Sequence, residues 1–331
     1  MDQLFYYGAT LVVFWFIFNI QTWGLNIQFG YAGILDFTYI TFFAAGAYFA
    51  GATAMDAPSR DLHYVLGLNA NFAFALVVGA AAAGILGALV GLVALNRLRS
   101  DYLAIVTVSV GAIAYDFVGN YRNLFNGFDG LLGIPYPFND ILQLDPQTYT
   151  IFYIGFAGAL MLLLWLIAHR IYNSPFGRSL RAIREDLDVA EAFGKNTYAM
   201  RMIAMVVGCV YAGIAGALLI GFISAFNPGG WSAAETFMIW AAMLVGGRAN
   251  NIGAVLGALL VPVIFLEATR YLPAVSGHAE FIPALRNIVV GLLLIAVLWF
   301  RPEGLLPEPR KRFYQLRLSR EPKVVDSVPA S

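Results

Sequence analysis

An acid inside an apolar region is the first residue of this chain that could do chemistry. Asp36 follows residues 4–35, a stretch without Asp, Glu, Lys, Arg or His. A charge at the centre of a bilayer costs about 2.5–3.5 kcal/mol on insertion scales, so such a residue usually faces a cavity or a partner. Asp36 therefore either meets the ammonium group of a passing solute or lies near a span end and caps or pairs structurally. Glu235 and Glu267, both near the ends of apolar runs, are similar candidates.

A charged connector, residues 170–201, is the second set of residues that could do chemistry. It is the only long polar stretch between two apolar runs. Ser174 is suited to cap a helix whose first position is Pro175, and Gly194 is a suitable C-terminal end. The sequence thus predicts one helix over residues 174–194.

The side chains of this predicted helix divide into two faces. Arg178, Arg181 and Arg184 recur every three residues and fall along one stripe. The apolar side is formed by Leu180, Ile183 and Phe193. The charges by themselves favour a solvated loop helix. The alternative is a helix gripped by a motor protein, with the apolar side supplying affinity and the arginines setting the register, because surface ion pairs contribute only about 0–1 kcal/mol each.

Several kinds of chemistry are not indicated by the residues present. Gly194 and Lys195 form the only Gly-Lys pair, and no glycine-rich phosphate loop precedes it, so we expect no ATPase site. The three histidines are scattered and predict no metal site, and Cys209 is the only cysteine. A net charge of zero gives no basic field for nucleic acid. We therefore expect a protein that is not an enzyme and that holds no cofactor.

The composition indicates an all-α polytopic membrane protein. Hydrophobic residues make up 60% of the 331 residues and charged residues 12%, against about 25% charged in soluble domains. A transmembrane helix needs about 20 apolar residues. Apolar runs predict about nine spans, within residues 4–24, 30–54, 66–96, 102–118, 147–168, 202–234, 236–247, 250–270 and 282–300. The run at 236–247 is short and is either extended by its flanks or re-entrant.

Basic residues predict the orientation of these spans. With nine crossings and the N-terminus outside, sixteen of the twenty lysines and arginines fall on the cytoplasmic side, as the positive-inside rule requires. The connector and the C-terminus are then cytoplasmic. We divide the chain into a transmembrane domain, residues 1–307, and a polar tail, residues 308–331, whose composition predicts disorder.

The connector contains a motif that resembles a known family. Residues 174–186 (SPFGRSLRAIRED) and 190–194 (AEAFG) resemble the coupling signature of LivM-type permeases, which are subunits of ATP-binding-cassette importers for branched-chain amino acids. Further blocks resemble the family in the same order: GYAG at 30–33, GAY at 46–48, LRSDYLAIVT at 98–107, GLLGIP at 130–135, GG at 246–247, GAVLGA at 253–258 and FRPEGLL at 300–306.

The resemblance implies a division of labour among several proteins. Such a permease pairs with a second related permease, two cytoplasmic ATP-binding subunits that carry ATP and magnesium, and a periplasmic amino-acid-binding protein, in a bacterial inner membrane. It implies a coupling segment, residues 174–195, that contacts the ATPase through Gly177, Arg178, Leu180, Arg181, Ile183, Arg184, Glu191 and Gly194. The translocation path is expected at Tyr31, Asp36 and Glu235. A hinge or packing contact is expected at Gly246, Gly247, Gly253 and Gly257.

Three positions depart from the family pattern and leave the cargo open. Asp36 stands where Ser or Asn is common, Ala112 where Glu is frequent, and Ala249 where Gly is usual. Branched-chain amino acids are the expected cargo, and urea, short-chain amides or other amino acids are alternatives. A secondary transporter is a further alternative, but it needs ion-coupling residues deep in the bundle, and only Asp36 qualifies.

Overall fold

A computed structural model describes residues 2–58, 63–97, 100–139, 143–270 and 281–309. The predicted tail beyond residue 309, together with Arg60, Arg99 and His278, lies outside the described residues. Helices dominate the described chain, because a backbone in hydrocarbon must satisfy its hydrogen bonds within the segment that crosses. The all-α prediction is confirmed, with one short pair of strands as the exception.

The helices of the described chain are α1 (Asp2–Leu25), α2 (Tyr39–Ala54), α3 (Phe72–Arg97), α4 (Ser100–Asn120), α5 (Arg122–Phe125), α6 (Pro146–Asn173), α7 (Pro175–Glu185), α8 (Leu187–Ala192), α9 (Thr197–Ile223), α10 (Ala233–Gly246), α11 (Asn251–Leu259), α12 (Leu266–Arg270) and α13 (Phe281–Phe300). Two helices continue as π-helical turns, α1 through Asn26–Tyr31 and α11 through Leu260–Phe265. The strands β1 (Leu131–Leu132) and β2 (Ala225–Phe226) pair antiparallel, with Leu131 opposite Phe226.

Seven helical segments of the described chain are long and apolar enough to cross a membrane. They are Leu4–Tyr31, Phe72–Leu95, Tyr102–Asn120, Pro146–Asn173, Thr197–Ile223, Asn251–Arg270 and Phe281–Phe300. Of the nine segments predicted as spans, seven therefore meet this criterion of length and hydropathy. The other two predicted spans correspond to α2, of 16 residues, and α10, of 14 residues. Fourteen helical residues rise about 21 Å, which is less than the roughly 30 Å of hydrocarbon.

The centre of the bundle is a close contact of α2, α3 and α9. A β-carbon added to Gly46 of α2 would overlap the backbone of Gly213 on α9. A β-carbon on Gly87 of α3 would likewise overlap the side chain of Cys209. Small residues allow helix backbones to approach closely in lipid, where the hydrophobic effect does not drive helices together. As a result α9 is the most enclosed of the seven spans, and α13 is the least.

The predicted hinge glycines meet in the hairpin of α10 and α11. A β-carbon on Gly253 would overlap the carbonyl of Gly246, and one on Gly257 would overlap the carbonyl of Ala242. Gly247 ends α10 with φ of 122°, a conformation that side chains rarely adopt. These contacts hold α10 and α11 tightly together, at the end of the bundle that also carries the connector.

Candidate functional site

The predicted connector helix is two helices rather than one. The helix α7 ends one residue before Asp186, which is extended, with φ of −152° and ψ of 113°. The Asp186 carboxylate then caps α8 by accepting a hydrogen bond from Val189 N at 2.9 Å. The predicted cap at Ser174 is confirmed, because its hydroxyl accepts from Gly177 N at 3.0 Å. The single-helix prediction missed the break since Asp186 is also compatible with a helix.

The apolar side of the coupling segment faces the rest of this chain. Leu180 and Ile183 are 0% and 3% exposed, and a β-carbon on the buried Gly177 would overlap the backbone at the end of α6. The expectation that Leu180 and Ile183 supply affinity for the ATPase is therefore corrected. Phe193 and Val189, by contrast, are 80% and 50% exposed. The apolar surface that is open to a partner lies at α8 and the turn that follows it.

Two of the predicted arginines bind within the chain. Arg184 donates from Nη1 to the carbonyl oxygen of Gly30 and pairs through Nη2 with Glu308 Oε2 at 2.8 Å. The Nε atom of Arg181 lies 3.7 Å from Glu308 Oε1, and its Nη1 donates to Tyr172 O at 3.0 Å. The Arg181 guanidinium also lies over the Tyr172 ring, 4.2 Å from its centroid. Glu308, which the sequence division placed at the start of the tail, is thus part of the site.

Glu308 belongs to a non-helical segment that we call the C-terminal strap, residues 301–309. Leu305 N donates to Val245 O at 2.8 Å, and Leu306 N donates to Gly246 O at 3.1 Å. The strap therefore connects α7 to the end of α10. The block FRPEGLL at 300–306 marks this segment in the sequence. No local pattern indicates which residues the strap contacts.

A basic cavity of about 540 Å³ opens beside the strap. Its charged lining residues are Arg178, Arg181, Arg184, Arg248, Glu185, Glu303 and Glu308. Arg248, from the turn between α10 and α11, therefore lies at the same end of the bundle as the coupling segment. This clustering agrees with the one-sided distribution of basic residues in the sequence.

Glu191 and Gly194 connect α8 to the next long helix. The hydroxyl of Thr197, in the first turn of α9, donates to Glu191 Oε1. Gly194 has φ of 74° and open space around its α-carbon, so the turn there depends on backbone conformation and not on packing. Both residues fix the direction in which the coupling segment meets α9.

The three predicted path residues do not form one site. Tyr31 is fully buried near the coupling segment, where its hydroxyl donates to Asn251 Oδ1 at 2.5 Å. Asp36 lies beside the middle of α10, because Trp240 Nε1 donates to its carbonyl oxygen at 3.1 Å. Glu235 is in the first turn of α10, at the opposite end of that helix from Tyr31. The three residues therefore lie at successive depths along the bundle.

Asp36 organises a non-helical segment inside the bundle. Residues 32–38 are not helical, and the fully buried Asp36 accepts through Oδ1 from Thr38 N at 2.9 Å. Among the described residues its Oδ2 has no hydrogen-bond partner. The segment is fastened to α4 by Thr107. The Thr107 hydroxyl accepts a hydrogen bond from Phe37 N at 3.1 Å, and the Thr107 carbonyl oxygen accepts one from the Thr38 hydroxyl at 2.7 Å. The role of Thr107 was not predicted from the sequence. The only indication was that Thr107 ends the family-like block at residues 98–107.

Comparison with known proteins supplies a family and several relatives. Residues 8–298 match the family described as "Branched-chain amino acid transport system / permease component". The high-affinity branched-chain amino acid transport system permease protein LivM of Escherichia coli (strain K12) is 28% identical over 91% of this chain and 70% of its own length. A probable LivM permease protein of Methanocaldococcus jannaschii is 27% identical over 90% of this chain and 93% of its length.

A second type of permease also resembles the chain. The high-affinity branched-chain amino acid transport system permease protein LivH of Escherichia coli (strain K12) is 26% identical over 86% of this chain and 90% of its length. No solved structure matches the chain at a significant level.

Proposed function

The chain belongs to the family of branched-chain amino acid transport system permease components, and from that premise we propose that it is the membrane subunit of an ATP-driven importer for these amino acids. The observation that carries the proposal is the coupling segment. It consists of two short helices held at one end of a bundle of long apolar helices, and it presents an exposed Phe193. A partner that changes shape on ATP hydrolysis would find there both an apolar contact and a rigid attachment.

The proposal includes several partners. Similarity to both LivM and LivH proteins supports pairing with a second, related permease. Two cytoplasmic ATP-binding subunits would hold ATP and magnesium, because this sequence has no glycine-rich phosphate loop and is proposed as a transport subunit without catalysis. A periplasmic amino-acid-binding protein would deliver the cargo to the opposite end of the bundle.

The proposed location is the bacterial inner membrane, with the coupling segment and the C-terminus in the cytoplasm. The arginines around the basic cavity support this orientation. A Phe193→Cys variant tests it, because the native Cys209 is fully buried and should not react. A membrane-impermeant maleimide should label the variant only after the cells are permeabilised. Labelling of intact spheroplasts would place the segment outside and overturn this orientation.

The proposed mechanism is a mechanical link from the coupling segment to two other parts of the bundle, the end of the first span and the hairpin of α10 and α11. Movement of α7 reaches the end of the first span through the bond from Arg184 to Gly30. It reaches the hairpin of α10 and α11 through Glu308 and the strap. Asp36 acts as a positioning residue in this proposal, because its carboxylate holds the non-helical segment that leads into α2.

Reconstitution tests the function. The chain should be purified with its second permease and ATP-binding subunits, placed in proteoliposomes and supplied with the binding protein and radiolabelled leucine. We expect uptake that requires ATP and every component. Uptake without the ATP-binding subunits would indicate a secondary transporter, and ATP-dependent uptake of urea or a short amide instead of leucine would indicate a different cargo.

A further inference from the structure

A second cavity lies between α2, α4 and α10, away from the coupling segment. Its volume is about 340 Å³, within the range of roughly 300–1,000 Å³ for small-molecule sites. Its walls are the residues leading into α2, the middle and far part of α4, and the start of α10. None of the three predicted path residues lines it.

Most of the cavity wall is apolar and aromatic. The rings of Phe37 and Phe237 face each other with centroids 5.6 Å apart, and Tyr115 meets Trp231 edge to face at 5.3 Å. The remaining apolar lining consists of Ile40, Val108, Gly111, Ala112 and Ala233. Such a wall favours an aliphatic group, which gains free energy when it leaves water.

The polar groups of the cavity are few and of opposite sign. Asp116 of α4 supplies the only carboxylate among the lining residues. Ser232 is the N-cap of α10, and its side chain makes no capping hydrogen bond. The first amide groups of a helix lack partners within the helix and carry a partial positive charge. One polar group of the cavity therefore suits a cation and the other suits a carboxylate.

An unpartnered hydroxyl lies beside the same wall. Thr41 is 9% exposed, and its Oγ1 has no hydrogen-bond partner among the described residues. This oxygen lies 3.7 Å from the place of a β-carbon on the cavity-lining Gly111. A buried hydroxyl without a partner costs about 1–3 kcal/mol, so this oxygen has unused capacity to bond a polar group beside Gly111.

We propose that this cavity binds an amino acid with an aliphatic side chain, in its zwitterionic form, during transport. Asp116 takes the ammonium group, the first turn of α10 takes the carboxylate, and the side chain packs against the touching rings of Phe37 and Phe237. The proposal rests on the proposed function and adds to it a location and a reason for preferring aliphatic cargo. Discontinuous helices whose N-terminal ends face an anionic group are a known arrangement in transporters.

A bulky side chain in the cavity provides the first test. In the complete importer in proteoliposomes, Ala112→Trp should lower leucine uptake about tenfold or more, because overpacking displaces the ligand. The matched control is Ile113→Trp, the next residue of α4, which is 68% exposed and does not line the cavity. Equal uptake by Ala112→Trp and the native complex, with the same amount of assembled complex, would overturn the proposal.

Removal of the carboxylate charge provides a second test that does not depend on packing. Asp116→Asn should lower the uptake rate at saturating leucine about tenfold, since the negative charge that pairs with the ammonium group is lost, and Asp116→Glu should restore part of it. The control Asp129→Asn removes an exposed acid that pairs with Arg122 outside the cavity. An unchanged uptake rate in Asp116→Asn would overturn the assignment. If the native complex itself does not import leucine, the proposed function is wrong. If the native complex imports leucine and the cavity variants import it equally well, the proposed function stands and only this site is wrong.

Discussion

Arg184 and Glu308 pair at 2.8 Å although 124 residues separate them along the chain. Their side chains are 12% and 23% exposed, so water screens the pair less than it screens a surface pair. The same guanidinium also donates to the carbonyl oxygen of Gly30. One side chain thus joins the coupling segment, the end of the first span and the C-terminal strap.

We predict that Glu308→Gln weakens the connection between ATP hydrolysis and transport. The substitution removes the charge that pairs with Arg184, which should cost about 1–2 kcal/mol for a partly buried charged hydrogen bond. The measurement is the number of leucine molecules imported per ATP hydrolysed, which should fall severalfold. Glu185→Gln is the matched control, because Glu185 lies 3.8 Å from the same guanidinium with a side chain that is 76% exposed. If both variants couple alike, the strap does not transmit movement.

We predict that Phe193→Ser weakens docking of the ATP-binding subunits. An exposed aromatic anchor typically dominates the affinity of an interface, so the dissociation constant should rise about tenfold. The affinity of the detergent-solubilised permease pair for the purified ATP-binding subunit measures this change. The same substitution at Phe128, which is exposed at the other end of the bundle, should leave the affinity unchanged. An equal loss in both variants would argue for a folding defect and against a docking role.

We predict that Gly257→Ala destabilises the hairpin of α10 and α11. The added methyl group would overlap the carbonyl of Ala242, and overpacking of this kind costs about 1–3 kcal/mol. The thermal midpoint in detergent should therefore fall. Gly291→Ala on α13 is the control, because a β-carbon there meets nothing within 4 Å. That variant should be neutral or more stable by about 0.5–1 kcal/mol, because alanine favours a helix over glycine.

We predict that Asp36→Asn folds and transports normally, whereas Asp36→Leu does not. An amide oxygen can accept the hydrogen bond from Thr38 N in place of the carboxylate. Leucine leaves that buried amide group without a partner, at a cost of about 1–3 kcal/mol. Thermal stability and leucine uptake, measured together, separate the two roles. A stable Asp36→Asn protein without uptake would show that the negative charge itself acts on the transport path.

Local signals in the sequence identified the ends of the coupling segment. Ser174 caps α7 because a short polar side chain suffices to bond a nearby amide group. The break at Asp186 was missed, although its carboxylate caps α8 by the same type of bond. A capping residue within a helix-forming stretch cannot be told from an ordinary helical residue by sequence, because the difference lies in its backbone conformation.

The sequence by itself determined that the chain is helical, membrane-embedded and basic at one end, and it identified the family motif. These properties follow from composition and from bonds between residues close in the chain. Only the tertiary structure decided that Leu180 faces inward while Phe193 faces outward, that Glu308 meets Arg184, and that α2 is a helix of only 16 residues. The reason is that a helix surrounded by lipid and by other helices is apolar on every side, so its sequence carries little information about which side meets which neighbour.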